Sequence, residues 1–278
     1  MATPRRPIRA LLASLAILAV VLPATPQTGE HRFLGPDLEV LSLTDNQILE
    51  FLQTAEVVER QRISIGINGI ERVVLERDGI RLRAGFREVN LTRERVRIGG
   101  IFYYYFRDSY LFEPAAYRLS LALGIPNVPP AVVRKIRGVD GSLQIWVEDT
   151  FEDTNQAHPD DSMAWVHQLW NMYFFDSLIY NVDRNPGNIL VDHRYRRWMI
   201  DHGRAFQQQS NPFELERVGH VGRDVWERFQ ALERSDYDEI FGGLLKASQI
   251  GSFMNRRDKL IEHINTLIAE RTEGAVLF

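Results

Sequence analysis

One stretch constrains this chain more than any other. Asp183 to Asp201 reads DRNPGNILVDHRYRRWMID and runs straight into His202 and Gly203. Asn188 follows Asp183 by five positions, and a short apolar run (Ile189, Leu190, Val191) carries the chain away. A second apolar pair, Met199 and Ile200, returns it to Asp201. A β-hairpin over this stretch sets Asn188 just before one strand and Asp201 just after the next, so both arrive at one edge. An amide oxygen and a carboxylate so placed suit a hard divalent ion such as Mg²⁺ or Mn²⁺, and Asp183 can orient a hydroxyl and accept its proton. Phosphoryl transfer from a nucleotide needs these parts. The bland alternative is an Asp/Asn-rich turn, Asn185-Pro186-Gly187, that joins a helix to a hairpin with no chemistry attached.

The spacing D-x-x-x-x-N, then an apolar hairpin, then D-x-G, resembles the catalytic loop and metal-binding triplet of the protein-kinase-like fold. Ordinary protein kinases put His-Arg before the catalytic Asp; here Asn181-Val182 precede it and Arg184 follows. D-R-N-x-x-N-I-L is more similar to the phosphatidylinositol 3-/4-kinases, the HipA-type kinases and the Golgi secretory-pathway kinases, which also tolerate Asp-His-Gly in place of Asp-Phe-Gly. The resemblance implies an α+β, bilobal fold with a small antiparallel-sheet N-lobe and a mostly helical C-lobe. With an N-terminal extension, the N-lobe occupies 27–148 and the C-lobe 149–278. It implies ATP and Mg²⁺ or Mn²⁺ as cofactors, Asp183 as base, Arg184 as a nearby offset to charge, and Asn188 and Asp201 as metal ligands.

Upstream, Thr44 to Val58 reads as a short helix with Thr44 as its cap and Ile48, Leu49, Leu52 and Ala55 at helical spacing. Strand patterning starts after Arg62. Ile80, Leu82, Ala84 and Phe86 alternate with Arg81, Arg83, Gly85 and Arg87 behind an Asp78-Gly79 turn, a strong hairpin signal. By the resemblance this sheet roofs the nucleotide, with Gly66 and Gly69 over the phosphates; a plain glycine turn reads equally well. Gly85 and Arg87 share one strand face, where the family places a small residue over the base and a Lys on the phosphates. Arg87 departs from that Lys, and no earlier lysine replaces it, because Lys135 is the first in the chain. Arginine stays cationic and can clamp phosphate bidentately, but its planar fork is not a compact ammonium. A solvated strand face is the competing reading.

Leu91 to Tyr110 is basic and aromatic, with Gly99-Gly100 and Tyr103-Tyr104-Tyr105, and reads as an insert lining a substrate cleft or as a packed loop. FEPAAYRLSLALGIPNVPP, from Phe112 to Pro130, resembles a stretch of the exported kinase-like group and implies that Glu113 pairs with Arg87; a helix-start Glu explains it as well. Val132–Ile136 and Ser142–Glu148 read as strands. Gln144, Trp146, Val147 and Glu148 would border adenine. Met163 to Tyr180 is a long apolar helix in which His167 and Trp170 need only a packing role. Helices are also expected over Val225–Leu232, Tyr237–Ala247 and Ile250–Ala269. Arg256 and Arg257 resemble an R-R-D of the same group and read equally as a structural salt bridge.

The first 27 residues hold Arg5, Arg6 and Arg9 and no acid, ahead of an apolar run from Ala10 to Leu22. This predicts a signal peptide over 1–26, or an anchor through 8–22; a run of 13 residues falls short of the roughly 20 that span a bilayer. The rest carries 30 basic against 37 acidic residues, which excludes a broad basic face and argues against nucleic acid as partner. The absence of cysteine excludes a disulfide framework and a thiolate metal site. It also sets the chain apart from disulfide-rich Golgi kinases and points to a bacterial envelope: periplasmic, extracellular, or anchored and facing outward. Two main functions follow: a kinase acting on a hydroxyl-bearing acceptor, or a scaffold with the fold and little transfer. Nucleotidyl transfer is a third.

Overall fold

The structure, a computed structural model, describes residues 32–63, 70–153 and 162–278. The export segment, Gly66 and Gly69 lie outside the described residues. Helix α1 (Asp45–Thr54) opens on the expected cap: Thr44 Oγ1 accepts from the Gln47 amide at 3.3 Å while Gln47 Oε1 accepts from the Thr44 amide at 2.8 Å. The helix stops at Thr54 rather than Val58. Ala55 is extended and Glu56–Arg62 is strand β1, because the β-branched pair Val57-Val58 fits a pleated ladder better than a fourth helical turn.

Strands β2 (Glu71–Arg77), β3 (Ile80–Arg87), β6 (Ala131–Ile136) and β7 (Val139–Ile145) complete a five-stranded antiparallel sheet of order β1-β2-β3-β7-β6. Two of its turns use the same device. Asp78-Gly79 (φ 52° and 76°) and Arg137-Gly138 (φ 49° and 84°) adopt the left-handed pairs that match strand twist in a two-residue hairpin. Alternation sorts the faces. Val73, Leu75, Leu82, Ala84, Phe86, Leu143 and Ile145 are buried with Ile48, Phe51 and Leu52 of α1. Arg72, Gly85 and Gln144 sit across from one another on the opposite face, which Arg83 and Arg87 share.

Between β3 and helix α2 (Phe112–Leu123) the basic, aromatic segment is not a packed loop. It is a regular hairpin, β4 (Asn90–Ile98) and β5 (Ile101–Ser109), turned at Gly99-Gly100 with both φ positive (58° and 81°). Tyr103 and Phe106 on β5 pack against Tyr180, with Val182 and Phe213 alongside, so the hairpin leans on the helical half of the molecule.

That half holds β8 (Thr150–Glu152), α3 (Ser162–Ile179), β9 (Ile189–Asp192), β10 (Arg197–Met199), α4 (Arg223–Ala231), α5 (Arg234–Ile240), α6 (Ala247–Arg271) and α7 (Glu273–Val276). The hairpin expected around the Asp/Asn stretch is β9–β10, extended by β8 into a three-stranded sheet. The helix expected to run to Ala247 ends at Ile240; Gly242-Gly243, the latter at φ 74°, breaks it. Arg256 is completely buried and donates to the carbonyls of Leu178 (2.7 Å), Gln207 (3.0 Å) and Gln209 (2.5 Å), a structural tie between α6, α3 and the segment after Gly203. His167 and Trp170 stack on Phe278 and His220 at 4.0 and 3.8 Å. Helix α2 contributes Phe112, Ala115, Ala116, Leu119 and Leu123 to the core of the helical half while covering β6 and β7.

Candidate active site

Local chemistry shapes the loop after α3. Tyr180 takes a left-handed φ of 53°. Asn181 Nδ2 then caps Asp176 Oδ1 at 2.8 Å, and its Oδ1 accepts from the Asp183 amide at 3.2 Å. Asn185 Oδ1 holds the Gly187 amide at 3.0 Å, an Asx-type turn that starts a single 3₁₀ turn, Pro186–Asn188. Asn188 Nδ2 donates to the Asp183 carbonyl at 2.8 Å, and the Asn188 carbonyl accepts from the Ile200 amide at 3.2 Å. Asp183, Asn188 and Asp201 therefore meet at one edge of the β9–β10 hairpin. Asp201 has φ 55°, a strained backbone for a non-glycine residue and common where function fixes geometry.

Arg184 is placed differently from the expectation that it offsets charge at Asp183. Its guanidinium is buried and fully engaged. It donates to Asp176 at 2.9 and 3.1 Å, to the carbonyls of Asn188 and Ile200 at 2.7 and 2.8 Å, and it meets His202 Nε2 at 3.0 Å. It is a pin that fastens the Asn188 and Ile200 ends of the β9–β10 hairpin to α3. The guanidinium at Asp183 belongs to Arg204, whose Nη1 donates to Asp183 Oδ2 at 3.0 Å.

Arg87 is buried rather than solvated. Its Nη1 donates to Asp201 Oδ1 at 2.7 Å and its Nη2 to Asp108 Oδ1 at 2.6 Å, across lobes and hairpin. Glu113, the expected partner, bonds elsewhere: Oε1 accepts from the His202 amide at 2.7 Å and Oε2 lies 3.2 Å from His202 Nδ1. Glu113 reaches Arg87 through charge rather than through a hydrogen bond. Arg204 Nε also donates to Asp108 Oδ2 at 3.2 Å. The result is a continuous string, Asp201–Arg87–Asp108–Arg204–Asp183. Burial raises the Asp201 carboxyl above the usual range, and neighbouring Glu113, Asp183 and Asp108 add to the rise against the pull of Arg87. Burial also works against the charge of Glu113, but His202 and Arg87 outweigh it and hold that carboxyl low. Burial opposes the charge of Arg87 too, and its carboxylates more than restore it.

On the sheet side, Gln144 Nε2 donates to the Pro129 carbonyl at 3.3 Å and to Glu113 at 3.4 Å. The Trp146 amide donates to the Arg83 carbonyl at 2.8 Å, and Val147 is buried in the α1 core, so only its backbone borders the cleft. Glu148 accepts from Arg83 at 3.0 Å, while its other oxygen is buried without a partner and burial raises its pKa. A Cβ on Gly85 would stand 3.3 Å from Ile70 and 3.9 Å from the Trp146 ring.

An oxygen-only donor pair fits a hard ion. Among the described residues nothing donates to Asn188 Oδ1 or Asp201 Oδ2, and no group of three or more His, Cys, Asp or Glu competes as a metal site. Two protein ligands plus phosphates is the usual provision for Mg²⁺. Asp108 and Arg204 were not legible as site residues. The one signal for Arg204 is its position directly behind Asp-His-Gly; for Asp108 it is an acid closing an aromatic strand.

Neither a protein-family model nor a curated protein matches the chain. Solved structures do. Hydra Fam20, determined with sugar, aligns at TM-score 0.65 and 14% identity over 90% of this chain and 95% of that one. The Golgi casein kinase with Mn/ADP bound aligns at 0.63 and 14% over 84% and 78%. The Helicobacter pylori proinflammatory kinase CtkA aligns at 0.51 and 12% over 79% and 98%. The chain has the protein-kinase-like fold, bilobal and α+β.

Proposed function

We propose that the protein transfers the γ-phosphoryl group of ATP to a hydroxyl-bearing acceptor. The observation that carries this reading is the convergence of Asp183, Asn188 and Asp201 at one hairpin edge within a kinase-like fold. In this reading Asp183 orients the acceptor hydroxyl and takes its proton as the new O–P bond forms and the bond to the β-phosphate oxygen breaks. Asn188 and Asp201 would hold Mg²⁺ or Mn²⁺, which would supply positive charge to offset that of the phosphates. Arg87 faces the phosphates, Arg184 keeps the two strands in place, and Gly85, Trp146 and the backbone of 146–148 border the base. Glu113 sets the Asp-His-Gly backbone through His202. Catalysis by positioning and electrostatics needs little more from the protein.

Export to a bacterial envelope, with residues 1–26 as a signal peptide or residues 8–22 as an anchor, belongs to the same reading. Among the described residues no helix is long and apolar enough to cross a membrane. The test is transfer from γ-labelled ATP with Mg²⁺ or Mn²⁺, comparing the parent protein with Asp183→Ala and Asp201→Ala. Label transfer lost in both variants is the expected result. Addition of AMP instead of phosphate, seen by mass spectrometry, sinks it in favour of nucleotidyl transfer.

A scaffold reading has one observation in its favour. Arg87 already neutralises Asp201, the carboxylate a metal needs. A protein of this kind binds nucleotide weakly or not at all and transfers nothing.

A further inference from the structure

We propose that Arg204 is a catalytic residue for the reaction above, the guanidinium that meets the γ-phosphoryl group as it passes to the acceptor. The inference rests on the phosphotransfer reading and goes beyond it, because no motif in the sequence points to this residue.

The geometry assigns the role by position and by unused valence. Arg204 Nη1 lies 3.0 Å from Oδ2 of Asp183, the residue proposed to take the acceptor proton. The acceptor hydroxyl must bind Asp183, and its oxygen must reach the γ-phosphorus in line with the leaving oxygen. A cation in contact with Asp183 therefore stands at the γ end, while Arg87, in contact with Asp201, stands at the metal end. Arg204 Nε is tied to Asp108, which fixes the plane of the guanidinium. Nη2 donates to no described residue, and the side chain remains 26% exposed, so N–H groups of the guanidinium stay accessible to a ligand. Planar forks of this kind match phosphoryl oxygens bidentately. Arg184 cannot serve, since all of its nitrogens are engaged in holding the loop.

The test is titration calorimetry of the full chain with ATP and with ADP, in Mg²⁺, for the parent protein, Arg204→Met and Arg204→Lys. The readout is the ratio of ATP to ADP affinity, which cancels effects common to both nucleotides. Loss of a charge-assisted fork on the γ-phosphate should cut that ratio roughly tenfold or more in Arg204→Met, with partial recovery in Arg204→Lys. An unchanged ratio, whether both affinities fall together or neither moves, overturns the assignment, because a structural role acts on ATP and ADP alike. If the parent protein binds neither nucleotide, the phosphotransfer reading itself fails and the inference with it, an outcome visible before any variant is made.

Discussion

Arg87 and Asp201, 114 positions apart, are joined by a 2.7 Å hydrogen bond that fastens strand β3 to the carboxylate just after β10. The contact is tight enough to leave no room behind it: a Cβ on Gly203 would fall 2.4 Å from Arg87 Nη2.

Gly203→Ala should therefore push the guanidinium off Asp201. The atom displaced is the end of a side chain, so the fold survives, at a cost of about 1–3 kcal/mol for the overpacked site. Metal-dependent stabilisation by ATP in a thermal-shift titration should change with it, because Asp201 Oδ1 is released. An unchanged melting temperature and nucleotide response would mean that the contact has no energetic weight.

Asp201→Asn separates stability from function. A carboxyl whose folded pKa is raised binds its proton more tightly in the native state, so protonation favours folding and the neutral isostere imitates it. The variant should melt at or above the parent temperature at pH 7 while losing metal-dependent nucleotide binding. A marked fall in melting temperature would show that Arg87 needs this partner more than the burial of Asp201 opposes it.

Arg184 and Arg204 should part company in denaturation. Arg184→Met strands the buried Asp176 and frees two strand-end carbonyls, and should cost about 3–5 kcal/mol in urea unfolding. Arg204→Met, at a half-exposed site where Asp108 keeps Arg87, should leave the midpoint much closer to the parent. Equal losses would contradict the division of labour between them.

Asp192 sets an acid limit. Burial disfavours its charge, but the Arg196 and Arg194 amides, the Trp198 indole and the Arg196 guanidinium outweigh burial and hold its pKa below the ordinary 3.8. A depressed pKa contributes stability that is complete above the unfolded value of 3.8 and is lost as pH falls through the lower folded value. Asp192→Asn should destabilise the protein at neutral pH and flatten its acid limb below about pH 4, measured by unfolding free energy against pH.

Much of this was legible because short-range rules dominate it. The Thr44 cap, the Asp78-Gly79 turn, the alternation along Ile80–Arg87 and the D-x-x-x-x-N hairpin are each written within about a dozen residues, and each folds as read. The misreadings share a different cause. Glu113 was assigned to Arg87, but its partner is set by how α2 seats against His202, 89 positions away. Arg184 carries the motif, yet its pairing with buried Asp176 consumes it as a pin, and the guanidinium at Asp183 comes from Arg204, 20 positions on. Asp108 enters the site because an antiparallel ladder delivers the end of β5 there, and nothing in its neighbours announces it.

Helix α2 is shared by two layers: it lids β6 and β7 on one side and supplies six buried residues to the helical core on the other. A helix gripped on both sides cannot swing out as a lever without opening a core. Displacement of α2 would therefore carry the penalty of partial unfolding. The hairpin β4–β5, by contrast, exposes Tyr104 and Tyr105 while its far end delivers Asp108 to the string of charges.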